Sequence, residues 1–472
     1  VEWRYRVPAV ALVVTAVWTL VLLAMPAPLA RGAGPVILTI DTATFGSFFI
    51  AALGLFERGE GALAALTVSP LRFGEYLGAK VAILTGLSVV SAVPIALAAG
   101  HGPASLGPVL LGVVLLAALF LVLDFALVVR QRSLTGFLTV APFVLVPFIA
   151  APLAHLTGVL DHPLLYVVPT TGAVDVIRAD IDPVRTVAAL GYLVVSIAAA
   201  TWLARRRFTR DLAGGNRPTR ERRHRTRHRT RSRPRGWLTA LVDIDRRTTL
   251  RSALLTVVLT GPILLAVALR LGYPPLAGYV HDRFALDLTP YQPILLASLV
   301  VLHVPLIIGM VGALLILDDI DDHTVLILRV SPVTVPRYLA YRAIAVTTVA
   351  ALMLTITVPL SGLAPDLPSV LPALALAAAQ APLITLTTTA VARNKVEGLA
   401  WLKILGLVPT GIAPAMWWLP DQAQWPLQAL PHYWTADALW HPNPLSLLIG
   451  AALTALAAML VARRTLRRLD AR

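Results

Sequence analysis

The segment LFERGEGALAALTVSPLRFGEYLGAK, Leu55 to Lys80, has a counterpart in LDDIDDHTVLILRVSPVTVPRYLAYR, Leu317 to Arg342. Glu57 meets Asp319, Glu60 meets Asp322, Leu63 meets Val325, Leu66 meets Leu328, and Val68-Ser69-Pro70 meets Val330-Ser331-Pro332. Tyr76-Leu77 then meets Tyr338-Leu339 and Lys80 meets Arg342, each pair separated by 262 positions (319 less 57, for example). The same register superposes Gly136 on Gly398, Pro147 on Pro409, Pro169 on Pro431 and Asp175 on Asp437. One spacing held without adjustment over so long a stretch reads as a tandem duplication.

Composition says what was duplicated. Of 472 residues, 57% are hydrophobic and 14% charged, whereas a soluble chain carries about 25% charged residues. Apolar runs long enough to cross a bilayer, about 20 residues each, are predicted near 7 to 28, 35 to 56, 76 to 99, 105 to 129, 137 to 156 and 184 to 204. Six more follow near 252 to 272, 291 to 316, 343 to 363, 368 to 391, 402 to 419 and 443 to 462. The expected fold is an all-α integral membrane protein of twelve spans in two six-span units. Residues 1–210 form the first unit, 211–242 a linker and 243–472 the second. The first span follows Arg4 and Arg6 like a signal peptide, but it is too long for one and is read as a membrane helix.

Arginine and lysine bias sets the orientation. Arg58, Arg72, Arg130, Arg132, Arg329, Arg337, Arg393 and Lys395 all fall in alternate loops, which predicts a multi-pass plasma-membrane protein with both termini cytoplasmic. Both units then face the same way, so a pseudo-two-fold along the membrane normal should relate them, with a pathway between the halves. The net charge of +15 is concentrated between Arg205 and Arg235, which hold fourteen arginines against Asp211 and Glu221, a balance of +12. Such a run marks a cytoplasmic linker that leans on anionic headgroups. Nucleic-acid binding would want interleaved aromatics, and RPTRERRHRTRHRTRSRPR has none.

The sequence also excludes chemistry. No cysteine is present, so thiolate metal sites and thiol nucleophiles are ruled out. The three lysines, Lys80, Lys395 and Lys403, never follow glycine or precede serine or threonine. A P-loop requires that pattern to reach terminal phosphates, so the chain is expected to be no ATPase itself, and no cofactor is expected on it.

The loop between the second and third span of each unit has its own logic. Glu57 and Glu60, or Asp319 and Asp322, come first; then Leu63 and Leu66, or Val325 and Leu328, share one helical face; then Ser69-Pro70 or Ser331-Pro332 signals a new helix. A short amphipathic helix carried between an acidic lead and a Ser-Pro start suits docking into a groove on a soluble partner. The bland alternative is a helix lying on lipid, which the acidic residues disfavour.

These loops, with Y-L-x-x-[KR] after them and R-N-K-V-E-G-L-A at Arg393 to Ala400, resemble the permease subunits of ABC-2-type exporters, particularly the fluoroquinolone-export-like branch. The resemblance implies a six-span permease unit that works as a pair, here fused. It also implies a coupling helix in each loop that seats on a nucleotide-binding ATPase subunit, two copies being expected, with ATP and magnesium on that partner, and export of a small hydrophobic or amphipathic molecule. The first unit departs from the pattern at Val129 to Gly136, VRQRSLTG. A proton-driven transporter of the major facilitator type also has six plus six spans, but its inner loop is led by arginines rather than acids.

Ionisable residues inside spans are functional candidates by default. Asp41 and His303 occupy equivalent positions, 262 apart, and are candidates to line the pathway. Asp124, near Arg130, is expected to snorkel or pair locally. The segments 162–183 and 421–444 mix aromatics and prolines and read as interfacial belts. His155, Asp161 and His162 lie close in sequence, without a motif to make them catalytic.

Overall fold

A computed structural model of the chain describes residues 7–59, 72–131, 134–156, 158, 160, 162–178, 183–214, 253–284, 287–321, 334–364 and 366–470. The described residues are helical throughout apart from short connections, with no strand among them. In chain order the helices of the first half are α1 (Val7–Ala24), α2 (Ala27–Gly59), α3 (Phe73–Ala98), α4 (Pro103–Val128), α5 (Leu134–Leu156), α6 (Pro169–Arg178) and α7 (Pro183–Gly214). Those of the second half are α8 (Ala253–Phe284), α9 (Gln292–Leu296), α10 (His303–Asp321), α11 (Val335–Ser361), α12 (Leu367–Val391), α13 (Lys395–Trp418), α14 (Pro431–Trp440) and α15 (Pro444–Asp470).

Local chemistry sets several of the boundaries. Asn394 caps α13 by accepting from Glu397 N at 2.9 Å, and Glu397 Oε2 accepts from Arg393 N at 2.8 Å, a reciprocal arrangement that satisfies two donors the helix cannot. Asp366 Oδ2 accepts from Ser369 N at the start of α12. Gly362 ends α11 at φ +70°, the left-handed conformation that only a residue without Cβ enters freely. Helices α3 and α11 begin with Arg72 and Thr334 at their N-caps.

Ten described helices are long and apolar enough to cross a membrane, and the shorter apolar stretches Ala11–Ala24 and Phe143–Leu156 lie in α1 and α5. Side chains such as Phe143, Val184, Leu264 and Leu448 are exposed apolar groups on these helices, as a lipid-facing surface requires. Helices α6 and α14 are short and lie between spans, where the sequence suggested belt segments.

Within the first half, α2, α3, α6 and α7 pack on α4; within the second, α10, α11, α14 and α15 pack on α12. Helices α4 and α12 stand at matching places in the 262-residue register, as do their neighbours in turn. The halves meet where α13 packs on α1 and α2, and where α5 packs on α8. One apolar cluster joins them, with Val14 of α1 beside Leu306 and Leu314 of α10 and Leu399, Leu402 and Leu407 of α13. Lipid tails are as apolar as leucine, so helices in a membrane gain chiefly by close approach at small residues. Gly309 illustrates this: a Cβ there would stand 2.5 Å from the Ala381 carbonyl oxygen of α12.

The two halves differ at one conspicuous place. Helix α2 runs unbroken through Pro35, whereas its counterpart begins with α9, passes through a π-helical turn at Ala297–Val301, and resumes as α10.

Candidate functional site

Where α2 ends and α3 begins, and again where α10 ends and α11 begins, the same three side chains meet. In the first half, Glu57 on the last turns of α2 accepts from the Tyr76 hydroxyl at 2.5 Å and from Lys80 Nζ at 2.6 Å. Tyr76 and Lys80 are four residues apart on α3 and share a face, and Lys80 Nζ lies 4.7 Å from the Tyr76 ring centroid. In the second half, Asp319 of α10 accepts from the Tyr338 hydroxyl and from Arg342 Nη2 at 3.3 Å, while Arg342 Nε donates to the Tyr338 oxygen at 3.2 Å. The groups are largely enclosed, with side-chain exposures of 12% for Lys80, 20% for Glu57, 13% for Arg342 and 26% for Asp319. A carboxylate so placed is neutralised by its cation and further satisfied by the phenol, as a charge withdrawn from water must be.

The surroundings of the two clamps are unlike. Tyr76 stacks on Phe208 and meets Phe125 edge-on, and Phe73 completes the aromatic group. Tyr338 instead sits among Ile316, Val335, Leu339, Leu386 and Leu469. A further tie closes the same end of each half: Arg207 of α7 donates to the Ala126 carbonyl of α4 at 3.0 Å, and Arg468 of α15 to the Thr389 carbonyl of α12 at 2.9 Å. Both arginines engage carbonyls near a helix C-terminus, where a cation is favoured.

Of the candidate loop residues, Glu57 and Asp319 are thus held by α3 and α11. Glu60, Leu63, Leu66, Ser69, Pro70, Asp322, Val325, Leu328, Ser331 and Pro332 lie outside the described residues. Asp41 is buried in α2, and His303 opens α10 directly after the π turn. Helices α2 and α10 both pack on α13. Around that helix stand buried polar atoms that no described residue pairs with: Thr15 and Thr19 Oγ1 on α1, Ser298 Oγ in the π turn, and His303 Nδ1.

Two family models cover most of the chain. The model described as the fluoroquinolones export permease protein family matches residues 1–214, and the one described as fluoroquinolones export permease protein Rv2686c-like matches residues 245–464. Fluoroquinolones export permease protein Rv2686c of Mycobacterium tuberculosis strain ATCC 25618/H37Rv is 32% identical over 229 residues, which are 47% of this chain and 91% of that protein. Fluoroquinolones export permease protein Rv2687c of the same strain is 35% identical over 180 residues, 38% of this chain and 76% of that protein. The chain belongs to the fluoroquinolones export permease family. It is an ABC-2-type permease with two permease regions in one polypeptide and, with ten apolar spans among its described residues, a multi-pass membrane protein. No solved structure matches it.

The permease has a second pair of polar networks at the opposite helix ends. Asp175 of α6 accepts from Tyr166 at 2.7 Å and lies 2.9 Å from His155 Nε2 at the end of α5. Its register partner Asp437 of α14 accepts from Ser446 of α15 at 2.5 Å and lies 3.3 Å from His441. Each carboxylate fastens a short helix to a neighbour. Among the described residues His155 is bound to Asp175 and His162 Nδ1 accepts from Leu164 N, while Asp161 lies outside them. Asp124 is fully buried within α4, which rules out snorkelling and leaves the other expectation, an interaction inside the helical body. His432, buried at the start of α14, has neither ring nitrogen paired among the described residues, and burial pushes its pKa down to about 4.

Tyr76, Lys80, Tyr338 and Arg342 were visible in the sequence as register matches without an assigned role. The signal that pointed to them was chemical type: acid, phenol and base retained at all three positions although glutamate became aspartate and lysine became arginine.

Proposed function

We propose that this permease is the membrane body of an ATP-driven exporter, with twelve spans in two parallel six-span units and the engine on a separate nucleotide-binding subunit. The observation that carries the reading is the recurrence of element bounds in the 262-residue register. Helix α6 begins at Pro169 and ends at Arg178, and α14 begins at Pro431 and ends at Trp440; α3 and α11 begin at Phe73 and Val335. The ten long spans among the described residues, taken with the two shorter apolar stretches in α1 and α5, support a count of twelve crossings. Residues 1–210 and 243–472 are the units, joined by the arginine-rich linker 211–242, which rests against anionic headgroups at the cytoplasmic face.

The loops after Glu57 and Asp319 seat on two copies of the ATPase subunit, which carries ATP and magnesium. Nucleotide-driven closure of that pair moves the loops and, through α3 and α11, opens the seam between the halves. The cargo is an amphipathic aromatic compound of the fluoroquinolone kind, a reading supported by the relatives' names and by the apolar seam with its few hydrogen-bonding groups. Asp41, His303 and the hydroxyls of Thr15, Thr19 and Ser298 line its path. Few fixed charges along the path suit a cargo that brings its own apolar surface.

Reconstitution in liposomes tests this. Vesicles containing the permease and the ATPase subunit that co-purifies with it should accumulate a fluoroquinolone only when ATP is supplied, and dissipating the proton gradient should leave accumulation intact. Accumulation that survives without nucleotide and collapses with the gradient would overturn the reading in favour of a proton-driven carrier.

A further inference from the structure

We propose that the two acid-tyrosine-base clamps, Glu57 with Tyr76 and Lys80, and Asp319 with Tyr338 and Arg342, are the positioning residues that lock each docking loop to the third span of its unit. They turn loop displacement into helix displacement.

The chain contains its own control experiment. A duplicated unit has drifted in two copies under different packing, and the side chains around the clamps have changed: Phe73 stands opposite Val335, Phe125 opposite Thr387, Phe208 opposite Asp470. An aromatic box encloses one clamp and aliphatic side chains the other. The three clamp positions nevertheless keep an acid, a phenol and a base, joined by the same bonds. Packing demands differ between the halves, so they do not explain a hydroxyl and an ion pair retained in both. What the two places share is their station. Each carboxylate is on the last turns of the helix entering the loop, and each phenol and cation are on the first turns of the helix leaving it.

Mechanically this station matters. A loop hinged at two independent helix ends absorbs a push by bending at its base. Tying the entry helix to the exit helix by a charge-assisted bond and a phenol bridge removes that freedom. The tie continues inward. In the first half Tyr76 packs on Phe125 of α4 and Phe208 of α7, and Arg207 fastens α7 to α4. A load on the loop is therefore shared by α2, α3, α4 and α7 rather than spent in the loop. The proposal rests on the exporter reading for the source of the load, and on the geometry alone for the stiffness.

Two measurements separate those parts. In the purified permease without partner, Tyr76→Phe removes one hydroxyl and leaves the ring in place; amide hydrogen exchange across residues 60–71 should rise about tenfold while exchange in α4 and α7 stays unchanged. Tyr338→Phe should do the same across 322–333. In vesicles with the ATPase subunit, Glu57→Lys should lower fluoroquinolone transported per ATP hydrolysed about tenfold with hydrolysis within about twofold of normal. Adding Lys80→Glu should restore the ratio by rebuilding the pair in reverse. Unchanged loop exchange in both tyrosine variants overturns the clamp whatever the transport result. Faster exchange with transport per ATP unaltered also overturns it, since the ties would then staple the loop without transmitting anything. A misfolded Glu57→Lys chain that Lys80→Glu does not rescue, together with normal exchange in Tyr76→Phe, has the same meaning. Failure of any nucleotide-driven transport in the wild-type vesicles, with the exchange results as expected, refutes the exporter reading and leaves the stiffening in place.

Discussion

The Tyr76 hydroxyl at the start of α3 donates to Glu57 Oε2 at the end of α2 at 2.5 Å, and Tyr338 of α11 makes the corresponding bond to Asp319 of α10. The two halves thus hold the ends of a loop by the same chemistry, and the energetic weight of that bond is open to direct measurement.

The clamp should be worth more than its parts. Glu57→Ala removes the carboxylate that pairs with Lys80, which is 12% exposed, and Lys80→Ala leaves the carboxylate with the Tyr76 hydroxyl but without the Lys80 ion pair, so each single change should cost about 2 kcal/mol. The double variant should cost less than the sum, with a coupling of about 1 kcal/mol. Chemical denaturation in mixed micelles, read by tryptophan fluorescence, gives the cycle; strict additivity would show that the two groups do not interact.

His432 makes stability depend on pH. Its folded pKa is about 4 against an ordinary 6.5, so the unfolded chain binds the extra proton first as pH falls. Stability is unaffected above the unfolded value, declines as pH drops from about 6.5, and levels off near 4, for a total of about 3 kcal/mol. His432→Leu should flatten that part of the Tm profile and, by removing two buried ring nitrogens without partners among the described residues, raise Tm at neutral pH. A profile unchanged in shape would mean the ring is already protonated or solvated.

Gly309 should tolerate nothing larger. A Cβ there falls 2.5 Å from the Ala381 oxygen and 2.9 Å from Ile384 Cβ, so Gly309→Ala must push α10 off α12 and should cost about 2 kcal/mol. Gly278 on α8 has nothing within 4 Å, and Gly278→Ala should be neutral or slightly stabilising. Comparison of the two melting curves decides whether close approach, rather than glycine content, is what the fold needs.

His303 and Ser298 should trade stability for binding. Their buried atoms lack partners among the described residues, which costs free energy unless a ligand supplies the missing bonds. Ser298→Ala should raise Tm by a few degrees and weaken fluoroquinolone binding about fivefold, as one lost hydrogen bond does. Equilibrium dialysis with the purified permease measures the second effect, and unaltered affinity would remove these residues from the path.

Much of the fold was legible because a membrane helix needs only an uninterrupted apolar run, and because the 262-residue register allowed each half to check the other. The ends of the runs were less so. Helix α2 starts at Ala27 and α8 continues to Phe284 through Pro274 and Pro275, since helix-breaking residues are tolerated where neighbours restore the lost bonds. Segments 162–183 and 421–444 read as belts; α6 and α14 lie within them. Pro169 and Pro431, each at the first residue of its helix and matched in register, were the available sign. A single sequence shows Glu57 and Asp319 only as the acidic lead of a loop, and does not show that a carboxylate and a tyrosine nineteen residues on, as for Glu57 and Tyr76, face each other. The π turn at Ala297–Val301 left no mark in the hydrophobic pattern at all.

The central claim is that both units stand in the membrane the same way up, with both docking loops on the cytoplasmic face. The chain has no cysteine, so single substitutions Ala64→Cys and Leu326→Cys can be probed without background by a membrane-impermeant maleimide. Both positions should be protected in intact cells and labelled in inside-out vesicles. Labelling of one position from each side would mean inverted halves and would contradict the claim.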